Sequence, residues 1–282
     1  GLGPGGAERQ IVATAAGLRS RGRTPIFVGP YLNEAPGQDF YLAELTAAGV
    51  SARALGRRRA IGPRLYEHVS HATASLLARA PQEMLVDILT MTDVFCEIRP
   101  SVAHLWQDET AITYAVSAII AGVPRIVLSA RSVNPSNFQF HRDWMRPGYL
   151  ALLEDPRVAL TNNSDAGARS YAGWLGIEPP QIRVIRNGFD TSRPGRDEMA
   201  ANALRARLGI SPEQRVVSGV LRFSSEKRPL LWIEAAAIAG RAAPDAHFIL
   251  AGDGPMRAEV NQAAQSSGLA GRLTLLGETR DI

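Results

Sequence analysis

Short apolar runs recur along the chain, separated by longer stretches in which apolar residues return at helical spacing. The runs predict strands at Pro25 to Val28, Ser101 to His104, Arg125 to Leu128, Val158 to Thr161, Ile182 to Ile185, Val216 to Val220, His247 to Leu250 and Arg272 to Leu275. Between them the spacing predicts helices at Ala7 to Arg21, Asp39 to Ala48, Tyr66 to Ala80, Met84 to Ile98, Thr110 to Ala121, Asp165 to Leu175, Met199 to Leu208, Leu230 to Ala239 and Pro255 to Ala264. Strand and helix in alternation is the signature of a doubly wound parallel α/β fold. The rhythm breaks at Arg186 to Arg196, rich in Gly, Pro and polar residues, which predicts a domain boundary with one domain over 1–186 and a second over 187–282.

Length supports that division, because 282 residues, 45% of them hydrophobic, exceed what one core comfortably serves. The opening glycine turn has no strand before it, and the strand-like Leu273 to Leu276 soon stops, so the chain reads as truncated at both ends or as lacking separately recorded segments. Lys and Arg number 31 against 27 Asp and Glu, a net charge of +4. That excess is too mild and dispersed for a nucleic-acid partner and fits an anionic small molecule or an anionic membrane surface. Cys96 stands alone, which excludes an intrachain disulfide and fits the cytoplasm. No run reaches the roughly 18 apolar residues of a membrane span, so any membrane contact is expected to be peripheral.

Candidate chemistry gathers where strands end. Arg222 and Lys227 follow the run Val216 to Val220, and ligands of open parallel sheets bind at the carboxyl ends of strands. Two cations there can clamp a diphosphate. A solvated basic loop is the alternative, and charge alone does not choose between them. Gly252-Asp253-Gly254-Pro255 occupies the same place after the next strand, where backbone N–H groups at a helix start can meet a ligand; alone it reads first as a tight turn. Gly3, Gly5 and Gly6 open the first helix in the same manner, either as a ligand-facing helix start whose glycines adopt angles closed to other residues, or as a flexible end. Pro4, and the absence of an acidic residue after the next strand, argue against a dinucleotide fingerprint and a dehydrogenase.

His104 is predicted at the carboxyl end of its own strand, positioned to touch a reacting group, although a lone histidine is more often structural. Asp108 and Glu109 read as an acidic first turn of the following helix. Arg57 to Arg59 form a solvated loop or a site for an anionic acceptor or headgroup. Arg131 to Gly148 reads as one long loop, with Phe138, Phe140 and Trp144 either stacking on a sugar or packing onto their own domain.

Taken in order, G-P-G-G-A-E-R-Q, V-A-H-L-W-Q, A-G-V-P-R-I-V-L-S-A-R-S, V-I-R-N-G-F-D, G-V-L-R-F-S-S-E-K-R-P and L-A-G-D-G-P resemble the GT-B-fold retaining glycosyltransferases of family 4. The resemblance implies two Rossmann-like domains facing a cleft, with donor held mainly by the second and acceptor by the first. It matches Arg222 and Lys227 to the donor-diphosphate pair, Gly5 and Gly6 to the glycine loop near phosphate and sugar, and Asn187-Gly188 to the interdomain turn. The family's paired glutamates, E-x7-E, lie beyond the last residue here, and Trp106 stands where some members carry a second histidine.

The function this implies is transfer of a sugar from a nucleotide-diphosphate sugar to a glycan or lipid-linked acceptor, with Arg222 and Lys227 stabilising the leaving phosphate and His104 contacting the sugar. Neither cofactor nor metal is expected, since no Asp-x-Asp motif occurs and the nucleotide sugar is itself a substrate. The rival readings are a nucleotide-sugar epimerase of the same shape and a non-catalytic nucleotide-sugar-binding subunit.

Overall fold

The computed structural model describes residues 1–30, 32, 37–56, 78, 81–188 and 197–279. The chain divides into two compact units, Gly1–Phe189 and Asp190–Ile282. The division falls three residues beyond the expected 186/187 boundary, so Asn187 and Gly188 belong to the first unit.

In the first unit α1 (Gly6–Ser20) leads to β1 (Ile26–Gly29), α2 (Leu42–Ala47) and β2 (Ser51–Ala54), and β1 pairs in parallel with β2. Then come α3 (Gln82–Ile98), β3 (Ala103–Trp106), α4 (Asp108–Ile120), β4 (Ile126–Ala130), α5 (Met145–Leu153), β5 (Val158–Asn162), α6 (Asp165–Leu175) and the short β6 (Arg183–Val184). These last four strands form one parallel sheet in the order β3-β4-β5-β6. Its core is built from Ile126 and Leu128 of β4, Leu160 of β5, and the faces of α3, α4, α5 and α6 that carry Ile88, Ala115, Tyr149 and Tyr171. The ends of α6 follow from local chemistry: the Ser164 hydroxyl accepts from the Gly167 N–H at 3.0 Å, and Gly176 stops the helix at φ +77°.

The second unit runs α7 (Glu198–Arg207), β7 (Val216–Val220), α8 (Pro229–Ala242), β8 (His247–Ala251), α9 (Arg257–Ser266) and β9 (Leu273–Gly277). Its parallel sheet has the order β7-β8-β9, and β8 is buried along its whole length. Each unit is therefore a Rossmann-like α/β unit with parallel strands joined through helices.

Several expectations need correcting. β3 begins two residues later than the apolar run suggested, because Ser101 and Val102 are exposed; His104 is the second residue of the strand and Trp106 its carboxyl end. The expected loop Arg131 to Gly148 contains a 3-10 turn at Pro135–Asn137 and the start of α5. Pro147 falls in the first turn of α5, where a missing N–H costs nothing. β2 was not foreseen, and Pro255 precedes α9 instead of lying in it. Arg57 to Arg59, and the expected helix Tyr66 to Ala80 apart from Ala78, lie outside the described residues.

Candidate functional site

In the second unit the sheet continues past its regular strands as two interlocked loops. The Leu221 N–H donates to Ala251 O at 3.0 Å, the Phe223 N–H to Asp253 O at 2.9 Å, and the Met256 N–H back to Phe223 O at 2.9 Å. Phe223 is buried and packs with Ile233, Leu250 and Val260. Arg222 thus stands between two anchored neighbours, exposed at the carboxyl edge of the sheet. Lys227, also exposed, closes a 3-10 turn (Ser225–Lys227) before Pro229 opens α8, whose first turn has no side-chain cap. Arg228 joins turn and helix at φ +52°, in the left-handed region. The carboxylate of Glu226 accepts from the Ser224 hydroxyl at 2.7 Å; that bond chiefly lowers its pKa, helped by the charges of Lys227 and Arg222.

The glycines of the adjoining turn have a structural reason of their own. Gly252 at φ +145° and Gly254 at φ +156° use angles closed to side chains. A Cβ on Gly252 would lie 1.7 Å from Leu221 O, and one on Gly254 would lie 2.5 Å from Phe223 O. They let the turn press against the loop that presents Arg222. Asp253 is engaged within the turn, accepting from the Gly254 N–H at 2.7 Å and pairing with Arg257.

In the first unit the opening loop is pinned. Leu2 is fully buried, its N–H donates to Gln38 O at 2.6 Å, and its carbonyl accepts from the Tyr41 N–H at 3.2 Å. Gly5 caps α1 at an ordinary φ of −110°, which corrects the expectation that unusual backbone angles require the opening glycines. At Gly6 a Cβ would meet nothing within 4 Å, so no packing among the described residues requires glycine there.

α1 also touches the other expected residues of this unit. Gln107, directly after β3, donates to Glu8 at 3.1 Å, and the Gln10 amide brackets Gly188, donating to its carbonyl at 2.8 Å and accepting from its N–H at 2.9 Å. Asn187 accepts from Arg131, whose guanidinium lies 4.4 Å from the centroid of the Trp106 ring. The His104 ring lies 4.7 Å from the same ring, tilted 38° to it. Protein packed round the imidazole, and then the charge of Arg131, lower the His104 pKa to about 4, while an exposed edge lets water offset part of that penalty. The ring is therefore neutral at pH 7, able to donate and accept a hydrogen bond but not to carry charge.

Sequence reasoning missed the polar heart of this unit. Asp108, 6% exposed, starts α4 and accepts hydrogen bonds from Tyr149 at 2.8 Å and from Tyr171, with Trp174 edge-on to both rings. Burial raises its pKa, although the two phenols pull the other way. Of the aromatic residues proposed to meet a sugar, Trp144 packs on the core, and Phe138 and Phe140 stack on one another at 5.1 Å.

The α/β units have the fold of the GT-B class. No family model matches the chain. Over its whole length it is similar, at 28% identity across 299 aligned residues, to the Vi polysaccharide biosynthesis protein VipC/TviE of Salmonella typhi, 51% of which is covered. At 26% identity over 189 residues, 64% of the chain is similar to 48% of the UDP-Gal:alpha-D-GlcNAc-diphosphoundecaprenol alpha-1,3-galactosyltransferase of Escherichia coli. The chain thus spans about half the length of these curated relatives. The crystal structure of Anabaena HepE in complex with UDP and glucose matches with a TM-score of 0.71 over 100% of this chain and 68% of that one, at 21% identity, a likeness that shows the fold. Among the described residues no helix is long and apolar enough to cross a membrane.

Proposed function

We propose that the chain belongs to a glycosyltransferase that moves a sugar from a nucleotide-diphosphate sugar to a glycan or lipid-linked acceptor. The observation that carries this reading is the interlocked pair of loops at the carboxyl edge of the second sheet, which hold Arg222 between hydrogen-bonded Leu221 and buried Phe223 and set Lys227 one turn away, at the uncapped start of α8. Cleaving the bond between sugar and diphosphate builds negative charge on the departing phosphate, and fixed cations stabilise it as it forms. Arg222 and Lys227 take that role in place of a divalent metal. The start of α1 at Gly5 and Gly6, which has no side-chain cap, adds backbone N–H groups toward phosphate or sugar, and neutral His104 serves as a hydrogen-bonding contact to the transferred sugar. Gly252, Asp253 and Gly254 shape the donor loop, Asn187 and Gly188 fix the start of the interdomain turn, and contact with a membrane-held acceptor is peripheral. Retention of configuration, as in family 4, belongs to the same reading. The glycosyl-transfer reading, not its stereochemistry, is supported by the similarity of the full chain to a polysaccharide biosynthesis protein.

The test is incubation with UDP-, GDP- and ADP-sugars, with and without a lipid-diphosphate-linked sugar, following nucleotide release and product mass. Release that depends on the acceptor is the expected result. Conversion of the donor sugar without acceptor would make the protein an epimerase, and binding without any turnover a donor-binding subunit.

A further inference from the structure

Arg131 follows directly on β4, and its half-buried guanidinium has no carboxylate partner among the described residues. It is held in place instead: one face lies over Trp106, and one terminal nitrogen donates to Asn187. Its Nε is buried with no hydrogen-bond partner, which no other buried side-chain nitrogen or oxygen among the described residues shares. A guanidinium does not shed its proton to escape burial, so the charge stays and the lost hydration is uncompensated. Asn187 takes one of the five N–H donors and Nε is buried, which leaves the terminal nitrogens of the planar fork to meet a ligand. That fork, fixed by stacking, matches the two oxygens of a carboxylate. His104 lies against the same Trp106 ring, 4.7 Å from its centroid.

We propose that Arg131 is a specificity-determining residue that receives a carboxylate carried on the ring of the sugar substrate, at a subsite walled by Trp106, His104 and Asn187. This rests on the reading of the protein as a nucleotide-sugar transferase and narrows its substrate to acidic sugars. The full chain is titrated with UDP-glucuronic acid and UDP-glucose, which differ in a carboxylate against a hydroxymethyl group, and separately with glucuronate and glucose as acceptor probes and with inorganic phosphate. Wild type is expected to prefer the uronate of one pair tenfold or more. Arg131→Met should bring that preference to within about threefold while leaving UDP affinity and the thermal midpoint unchanged, and Arg131→Lys, which keeps charge but loses the fork, should fall between.

Equal binding of acidic and neutral sugars in both arms, or Arg131-dependent binding of phosphate alone, overturns the proposal. So does a variant that merely unfolds or loses UDP affinity together with every probe, since that is the signature of a structural tie. UDP binding by wild type would in those cases leave the transferase reading standing; its absence would sink both.

Discussion

Replacing Gly252 with alanine should unfasten the second unit at the point where it presents Arg222. The new methyl carbon would lie 1.7 Å from the carbonyl oxygen of Leu221, a backbone atom with no freedom to rotate away, at a φ of +145° that alanine does not adopt. Relief requires parting the two loops, which breaks the backbone hydrogen bonds from Leu221 to Ala251, Phe223 to Asp253 and Met256 to Phe223. At about 1 kcal/mol each the loss is about 3 kcal/mol before any backbone strain is added. For a unit of this size that corresponds to a fall of about 10 °C or more in its unfolding midpoint. Gly271→Ala is the control: φ there is +72°, but a Cβ would meet nothing within 4 Å, so only the left-handed penalty of about 1 kcal/mol applies. Calorimetry gives the two midpoints, and nucleotide titration well below them reports whether Arg222 has moved. A Gly252→Ala protein no less stable than Gly271→Ala, with unchanged nucleotide affinity, would refute the interlocked-loop argument.

Further predictions concern the first unit. Tyr171→Phe should cost about 1.5 to 3 kcal/mol in urea unfolding, since the buried Asp108 carboxylate loses one of two phenol donors. Because burial raises the Asp108 pKa above 3.8, its contribution to stability is fully present below that value and is lost as pH rises through the folded pKa; Asp108→Asn should flatten that dependence. His104 should titrate by NMR with a midpoint below 6.5, and Arg131→Met should raise it only part of the way back, because burial is the larger cause. The sign is opposite to that of Asp108: the stability this depressed pKa supplies is present above 6.5 and is lost as pH falls toward 4. A His104 midpoint at 6.5 or above in the wild-type protein would contradict the packing described around its ring.

Strands that carry their own apolar run, such as β7, and helices with a local cap, such as α6 after Ser164, were legible in the sequence because their signals are local. β2 was not, since Ser51–Ala54 is mostly exposed and holds its place by pairing with β1. α5 was masked by Pro147 and Gly148, which suit a first turn as well as a loop. Apolar Val102 drew β3 two residues too early, and with it the placement of His104. After β7 the positions of Arg222 and Lys227 could be read from the end of its apolar run, whereas the reason for Gly252 and Gly254 is a contact with Leu221 and Phe223 some thirty residues away. Asp108 with Tyr149 and Tyr171, and Arg131 with Trp106 and Asn187, are likewise meetings of distant segments that no spacing announces.

The central claim is that Arg222 and Lys227 hold the diphosphate of a nucleotide sugar. Its most direct test is calorimetric titration of UDP, GDP and ADP, and of the sugar form of whichever nucleotide binds, into wild type, Arg222→Ala and Lys227→Ala. The account predicts saturable binding of one nucleotide, weakened about tenfold or more by either substitution and by rising salt, with folding intact. Wild-type affinity in both variants would contradict it.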